Sequence, residues 1–182
     1  MKSHHPIRKS LFALAALGLG YGMPVHATEY SGYAKCLSTP LVDVRPATIA
    51  DAAATTDALS TLNTLVKKAG LGAALDDPNA RLTVYAPTNQ AFGKIPKPVL
   101  DAIGSSIPVL TAVLTYHVSP GLKDPRIPSH PREERTLLKG QTVFLDYDKR
   151  PQVNQSNADC QGVRTSNGIV WIIDSVLLPQ FR

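Results

Sequence analysis

The chain has 182 residues, 43% of them hydrophobic and 18% charged, which fits a single globular domain and argues against a disordered chain. Nineteen basic residues stand against fourteen acidic ones, but three of the basic and none of the acidic residues lie in the first 27 positions. The remainder carries a balance of only +2, so no nucleic-acid partner is expected.

Lys2, Arg8 and Lys9 form a basic leader, Ser10 to Gly22 an apolar run, and Val25-His26-Ala27 a small-residue cleavage pattern. Residues 1–27 therefore read as a signal peptide. The apolar run of 13 residues falls short of the roughly 20 needed to cross a bilayer, so no membrane span is expected. Export implies a secreted, periplasmic or cell-surface location. The two cysteines, Cys36 and Cys160, are 124 positions apart and are expected to pair in an oxidising compartment. Chain entropy gives about 5 kcal/mol for closing so long a loop, as an upper figure.

Residues 28–47 read as an extended N-terminal arm ending in Val42-Asp43-Val44-Arg45-Pro46. Thr48 with Asp51 three residues on gives a capping-box-like start to a short helix, Ile49 to Ala54. Thr56 or Asp57 opens a second helix, in which Leu59, Leu62, Leu65, Val66 and Ala69 recur at helical spacing and Gly70 supplies the stop. Leu71 to Leu75 makes a further short turn. Asp76-Asp77-Pro78-Asn79 follows, and adjacent aspartates before a proline read as a solvated turn, not as a metal or acid–base pair.

Thr83 to Phe92 is the central stretch. Leu82, Val84 and Ala86 alternate with Thr83 and Tyr85, which predicts a strand; Pro87 ends it, and Thr88 has the chemistry of a helix N-cap. Ala91 and Phe92 should face inward, leaving Asn89 and Gln90 exposed. Pro98 opens a helix from Val99 to Ile103, and Ser105 or Ser106 starts another with Val109, Leu110, Val113 and Leu114 as its buried stripe. That helix runs into Tyr116-His117 and is stopped by Pro120-Gly121. A histidine one turn past an apolar stripe is expected to be buried, neutral and hydrogen-bonded.

Asp124 to Glu134 carries Pro125, Pro128 and Pro131 among charges and reads as an exposed loop, with His130 solvated. Gln141 to Tyr147 predicts a strand; Asp146 and Asp148 share one face, but the further oxygen ligands that calcium takes are missing. Asn154-Gln155-Ser156 is formally a glycosylation acceptor. Gly162 to Thr165 and Ile169 to Ile173 predict two strands joined by an Asn167-Gly168 hairpin turn accepting positive φ. Five consecutive apolar residues in the second strand imply burial on both faces or a partner across one.

Thr83 to Phe92, Tyr116-His117, and Ile173-Asp174-Ser175-Val176-Leu177-Leu178-Pro179 resemble, in order and spacing, the three landmarks of the fasciclin-like domain. The resemblance runs from about Thr48 to Pro179 and implies one domain over residues 48–182. It implies an α+β fold, with a twisted β wedge packed against a small set of short helices. Trp171 departs from it, standing where the family commonly has histidine.

The resemblance implies an adhesive or interaction module outside the cell, with protein or polysaccharide of the envelope or matrix as partner. Some algal relatives instead bind carotenoid, which makes an apolar ligand the alternative; no other cofactor is expected. The mature chain has only His117 and His130, and lacks Gly-x-Ser-x-Gly, His-Glu-x-x-His, phosphate-loop and Cys-x-x-Cys motifs, so no enzyme is expected. The expected binding surface comprises Pro87, Thr88, Asn89 and Gln90 with the adjacent Tyr116 and His117. A strand broken by proline leaves edge groups there, and the family's first landmark is linked with binding.

Overall fold

The computed structural model describes residues 27–127 and 132–180. The signal-peptide assignment, all but its last residue, lies outside them, as do Pro128, His130 and Pro131. The expected extended arm begins instead as helix α1 (Ala27–Ser38). Its sequence contains no proline and several good helix formers. So short a helix is marginal alone and needs tertiary anchors. Two are present: the Cys36–Cys160 disulfide, with an S–S length of 2.05 Å, and the Tyr33 ring, edge-on to Tyr147 at 4.3 Å.

After the short strand β1 (Val42–Asp43), helix α2 (Ile49–Thr55) starts with a complete capping box. The Asp51 amide donates to the Thr48 hydroxyl, and the Thr48 amide to the Asp51 carboxylate. A 3-10 turn (Asp57–Leu59) leads into α3 (Ser60–Lys68). Gly70, at φ +69°, ends it in the left-handed conformation that glycine adopts without penalty, with the Leu71 amide donating back to the Val66 carbonyl. A single helical turn, α4 (Gly72–Asp76), precedes β2 (Leu82–Pro87).

Thr88 caps α5 (Asn89–Gly93) by accepting from the Ala91 amide at 3.2 Å. Helix α6 (Lys97–Ser105) carries Pro98 in its first turn, and α7 (Ile107–Tyr116) runs into β3 (Val118–Pro120). Then come β4 (Glu133–Arg135), β5 (Thr142–Asp148), β6 (Arg150–Val153), β7 (Ser156–Asn157), β8 (Val163–Arg164) and β9 (Gly168–Ile173). They form two open sheets, β1-β8-β9-β2-β3 and β4-β5-β6-β7. No single described helix is long and apolar enough to cross a membrane.

The parallel pair β2–β9, in register from Leu82↔Gly168 to Pro87↔Ile173, divides the interior. On one face Val84, Ala86 and Val170 pack against Leu59, Leu62, Leu110, Val113 and Leu114 of the helical layer. On the other, Tyr85, Ile169, Trp171 and Ile173 meet Val143, Leu145 and Val153 of the second sheet. The unbroken apolar run of β9 is thus buried on both faces, as parallel strands covered on each side are. The architecture is α+β, with short helices on one side of a β wedge.

The Asn167-Gly168 pair is not the expected positive-φ turn, because neither residue lies in the left-handed region. Asn167 is fully buried; its Oδ1 accepts from the Ile49 amide at 2.9 Å, and its Nδ2 donates to the Leu75 carbonyl at 2.8 Å and the Asp77 carbonyl at 3.0 Å. It pins α2 and α4 to the sheet. Gly168 is needed for space: a Cβ there would sit 2.1 Å from the Leu82 carbonyl oxygen and 2.6 Å from Ile49 Cδ1.

Two expected outcomes follow from these joins. Gly168→Ala should forfeit roughly 3 kcal/mol or more of stability, measured by urea denaturation, because backbone and not a flexible side-chain tip must yield. Replacing both cysteines with serine should cost about 2–5 kcal/mol, and the unreduced protein should show no alkylatable thiol by intact mass; two reactive thiols would contradict the bond.

Candidate functional site

His117 follows the last turn of α7, where the stripe Leu110-Val113-Leu114 carries it into the interior. Its Nε2 accepts from the Leu177 amide at 2.9 Å, so that nitrogen carries no proton. Its Nδ1 faces the Val113 carbonyl at 2.8 Å, and a carbonyl only accepts, so the proton sits on Nδ1. Burial pushes the pKa down to about 4 against a smaller opposite pull from the Val113 carbonyl. The His117 carbonyl accepts from the Tyr85 amide at 2.9 Å. One neutral residue therefore ties β2, α7 and the segment after β9 together. Tyr116 turns the other way, donating its hydroxyl to the Thr142 carbonyl at 2.9 Å and accepting from Asn154 Nδ2 at 3.1 Å.

The corner after β2 is more engaged inside than its sequence implies. Pro87 is buried and Thr88 is half-buried as the cap of α5. Asn89, expected to be exposed, is half-buried, because its amide serves the start of α3. Its oxygen accepts from the Thr61 amide at 2.9 Å, while its nitrogen donates to the Asp57 carbonyl at 2.9 Å and Ser60 Oγ at 3.0 Å. Of Pro87, Thr88, Asn89, Gln90, Tyr116 and His117, only Gln90 is exposed.

Three further residues hold the frame, and of these Arg126 did not stand out in the sequence. Arg126 lies in the stretch read as an exposed loop, yet it is 7% exposed. Its Nη1 donates to the carbonyls of Cys36, Thr39 and Cys160, its Nε and Nη2 to the Asp124 carboxylate, and its guanidinium stacks 4.9 Å from the Trp171 ring. Trp171 fills its position completely, with Nε1 donating to the Lys123 carbonyl at 2.9 Å. Asp174, within the third landmark, accepts from the Asn157 amide and side chain and from Ser156 Oγ. Burial alone would raise its carboxyl pKa, but the hydrogen bonds from Asn157, Ser175 and Ser156 hold it below the ordinary value.

Three of the aspartates weighed as metal ligands have other partners. Asp76 accepts from Thr48 Oγ1, Asp77 from the Asn79 amide, and Asp146 pairs with Arg132 at 2.8 Å. Among the described residues no three His, Cys, Asp or Glu side chains gather closely enough to hold a metal ion.

Two hollows remain. One is an apolar cavity of about 60 Å³ beneath the helices, walled by Leu62, Val66, Leu75 and Leu114 and touched by His117. The other is an open groove of about 660 Å³ between β5, the turn at Asn154-Gln155 and the segment Leu178–Gln180, with Tyr116 on its floor. Asn154, at φ +55°, is held by the Phe144 amide donating to its Oδ1 and by its own bond to Tyr116. The formal glycosylation acceptor is thus a structural turn, its amide engaged at both ends and Ser156 buried.

The His117 latch gives a signed pH dependence. The unfolded imidazole titrates near 6.5 and the folded one near 4, so the unfolded chain binds the extra proton between them. The latch's stability is fully present above about 6.5 and is lost as pH falls toward about 4, at up to about 1.4 kcal/mol per pH unit. His117→Ala should cost about 2–4 kcal/mol at pH 7 and flatten that slope. Urea denaturation at pH 4–8 checks both; a variant of unchanged stability that had lost binding would place His117 on the functional surface instead.

Residues 57–179 match the Fasciclin domain family. Among curated relatives, the immunogenic protein MPB70 of Mycobacterium bovis is 36% identical over 102 residues, which is 56% of this chain and 51% of that protein. The cell surface glycolipoprotein MPB83 of the same species is 37% identical over 98 residues, 53% of this chain and 43% of that one. The chain thus spans about half the length of these relatives. Protein sll1483 of Synechocystis is 32% identical over 173 residues, covering 91% of this chain and 93% of its own. In fold, the chain is similar to a FAS1 domain pair from the insect cell adhesion molecule fasciclin I. The TM-score is 0.59 at 16% identity, over 73% of this chain and 51% of that one. With its three landmark segments joined at His117 and more than half its length matched, the chain belongs to the Fasciclin domain family.

Proposed function

We propose that the chain works outside the cytoplasm as a non-catalytic interaction module, holding envelope or matrix partners of protein or polysaccharide on its surface. The observation that carries this reading is where the reactive side chains of the landmarks go. His117 and Asn89 are spent on joining elements, with hydrogen-bond partners at both ends of each. A surface role remains for Gln90, exposed on the rigid corner built from Pro87, Thr88 and Asn89, and for Tyr116, which reaches the open groove. The relatives support it through their descriptions as cell-surface and cell-adhesion proteins. The Cys36–Cys160 bond supports the exported location, since such bonds persist in oxidising compartments.

A carotenoid is the less supported occupant. The apolar cavity of about 60 Å³ is far below the roughly 300–1,000 Å³ of pockets that enclose drug-sized ligands. The protein purified from its source should be colourless, and a visible absorption band would reverse the order of the two readings. Immobilised on a sensor, the exported protein should bind envelope or matrix fractions saturably without consuming them. Gln90→Ala should weaken that binding if the corner is used and leave it intact if the contact lies elsewhere. No binding to any fraction would remove the adhesive reading.

A further inference from the structure

Resting on that reading and sharpening it, we propose that the groove between β5, the Asn154-Gln155 turn and Leu178–Gln180 is a binding site for a neutral polysaccharide chain. Its walls carry side-chain amides from Gln141, Asn154, Gln155 and Gln180, which offer donors and acceptors together, as a row of sugar hydroxyls requires. Phe144 stands 55% exposed on the outward face of β5 while its neighbours Val143 and Leu145 are buried. Its ring gives the apolar face of a pyranose a surface to lie on. Leu178, 47% exposed, lines the same groove.

The polar walls are built in advance. Asn154 is fixed by Phe144 and Tyr116, and Gln141 Nε2 donates to the Gln180 carbonyl at 3.2 Å, so little ordering remains for a ligand to impose. Among the described residues, none of the nine that line it is Asp, Glu, Lys, Arg or His. A sulfated, phosphorylated or uronic chain would find no Arg or Lys among them to pair with. A peptide added as a strand would find β5 paired with β4 over Thr142–Phe144 and with β6 over Leu145–Asp148, with the Thr142 carbonyl and the Phe144 amide already taken by Tyr116 and Asn154. The groove is open, with room for about 660 Å³, so a chain interior can lie along it as well as a chain end.

The test is a two-dimensional amide NMR titration of the exported protein with cellohexaose, maltohexaose and chitohexaose, and with hexagalacturonate as charged comparator. At least one neutral hexasaccharide should shift the side-chain amides of Gln141, Asn154 and Gln155 saturably, while hexagalacturonate does not. Phe144→Ala should weaken that binding about five- to tenfold at unchanged melting temperature, since the ring is exposed, and Gln155→Ala should weaken it as well. Lys68→Ala, exposed at the end of α3 and outside the groove, should leave it unchanged. Absence of saturable shifts with all three neutral chains, shifts centred elsewhere, or binding of the uronate alone would overturn the inference. Binding to envelope fractions that persists in Phe144→Ala without any neutral hexasaccharide bound would remove the groove and leave the interaction module standing. Hexasaccharide binding without binding to the fractions would do the reverse.

Discussion

The parallel pairing of β2 with β9 is the constraint on which the rest of the molecule depends. It joins residues some 86 positions apart, from Leu82↔Gly168 to Pro87↔Ile173, and so cannot be closed by a turn. Both faces must then be covered: helices from before β2 and from between the two strands lie against Val84, Ala86 and Val170, and the second sheet lies against Tyr85, Ile169 and Trp171. The register itself is pinned at one end by Gly168, where no side chain fits beside the Leu82 carbonyl. Just beyond the other end, His117 bonds the segment after β9 through Leu177. The three landmark segments are thus β2 with its corner, the segment that leaves β9, and the latch between them.

What the sequence made legible were features whose cause is local. The capping box at Thr48, the stop at Gly70, the strand from Leu82 and the cap at Thr88 all follow from neighbouring residues, and all are present. The burial and neutrality of His117 were readable from the apolar helix leading into it. Features assembled from distant segments were not. Asn89 reads as an exposed polar residue until the start of α3, 28 positions earlier, is placed against it. Arg126 reads as a solvated charge among prolines until the carbonyls of Cys36, Thr39 and Cys160 converge on it. Asn167 before glycine has the signature of a turn, and only α2 and α4 lying against it explain its burial. The arm was read as extended although its composition allows a helix, because its anchors, Cys160 and Tyr147, lie more than a hundred positions away.

The same division separates the corner from the groove. The corner after β2 was visible because proline, threonine and two amides stand side by side, yet contact with the distant start of α3 made it a joint. The groove has one residue whose orientation could have been read, Phe144, outward between Val143 and Leu145. Its other walls come from a turn and from the chain's last described residues, and neither has a pattern of its own. Surfaces formed by the meeting of ends are the least visible from a linear reading, and an interaction module can use them without disturbing its frame.

Arg126 gives the disulfide a different character from a simple tether. Its guanidinium collects the carbonyls of both cysteines and of Thr39, is neutralised by Asp124, and lies on the Trp171 ring. The arm is therefore seated on the domain by charge-assisted hydrogen bonds that do not involve sulfur. Each thiol then meets the other at high effective concentration once the arm is seated, and oxidation becomes an intramolecular closure of a join already formed. The covalent bond acts as a bolt on a closed door: its removal weakens the arm's attachment without taking away the contacts that tell the arm where to sit.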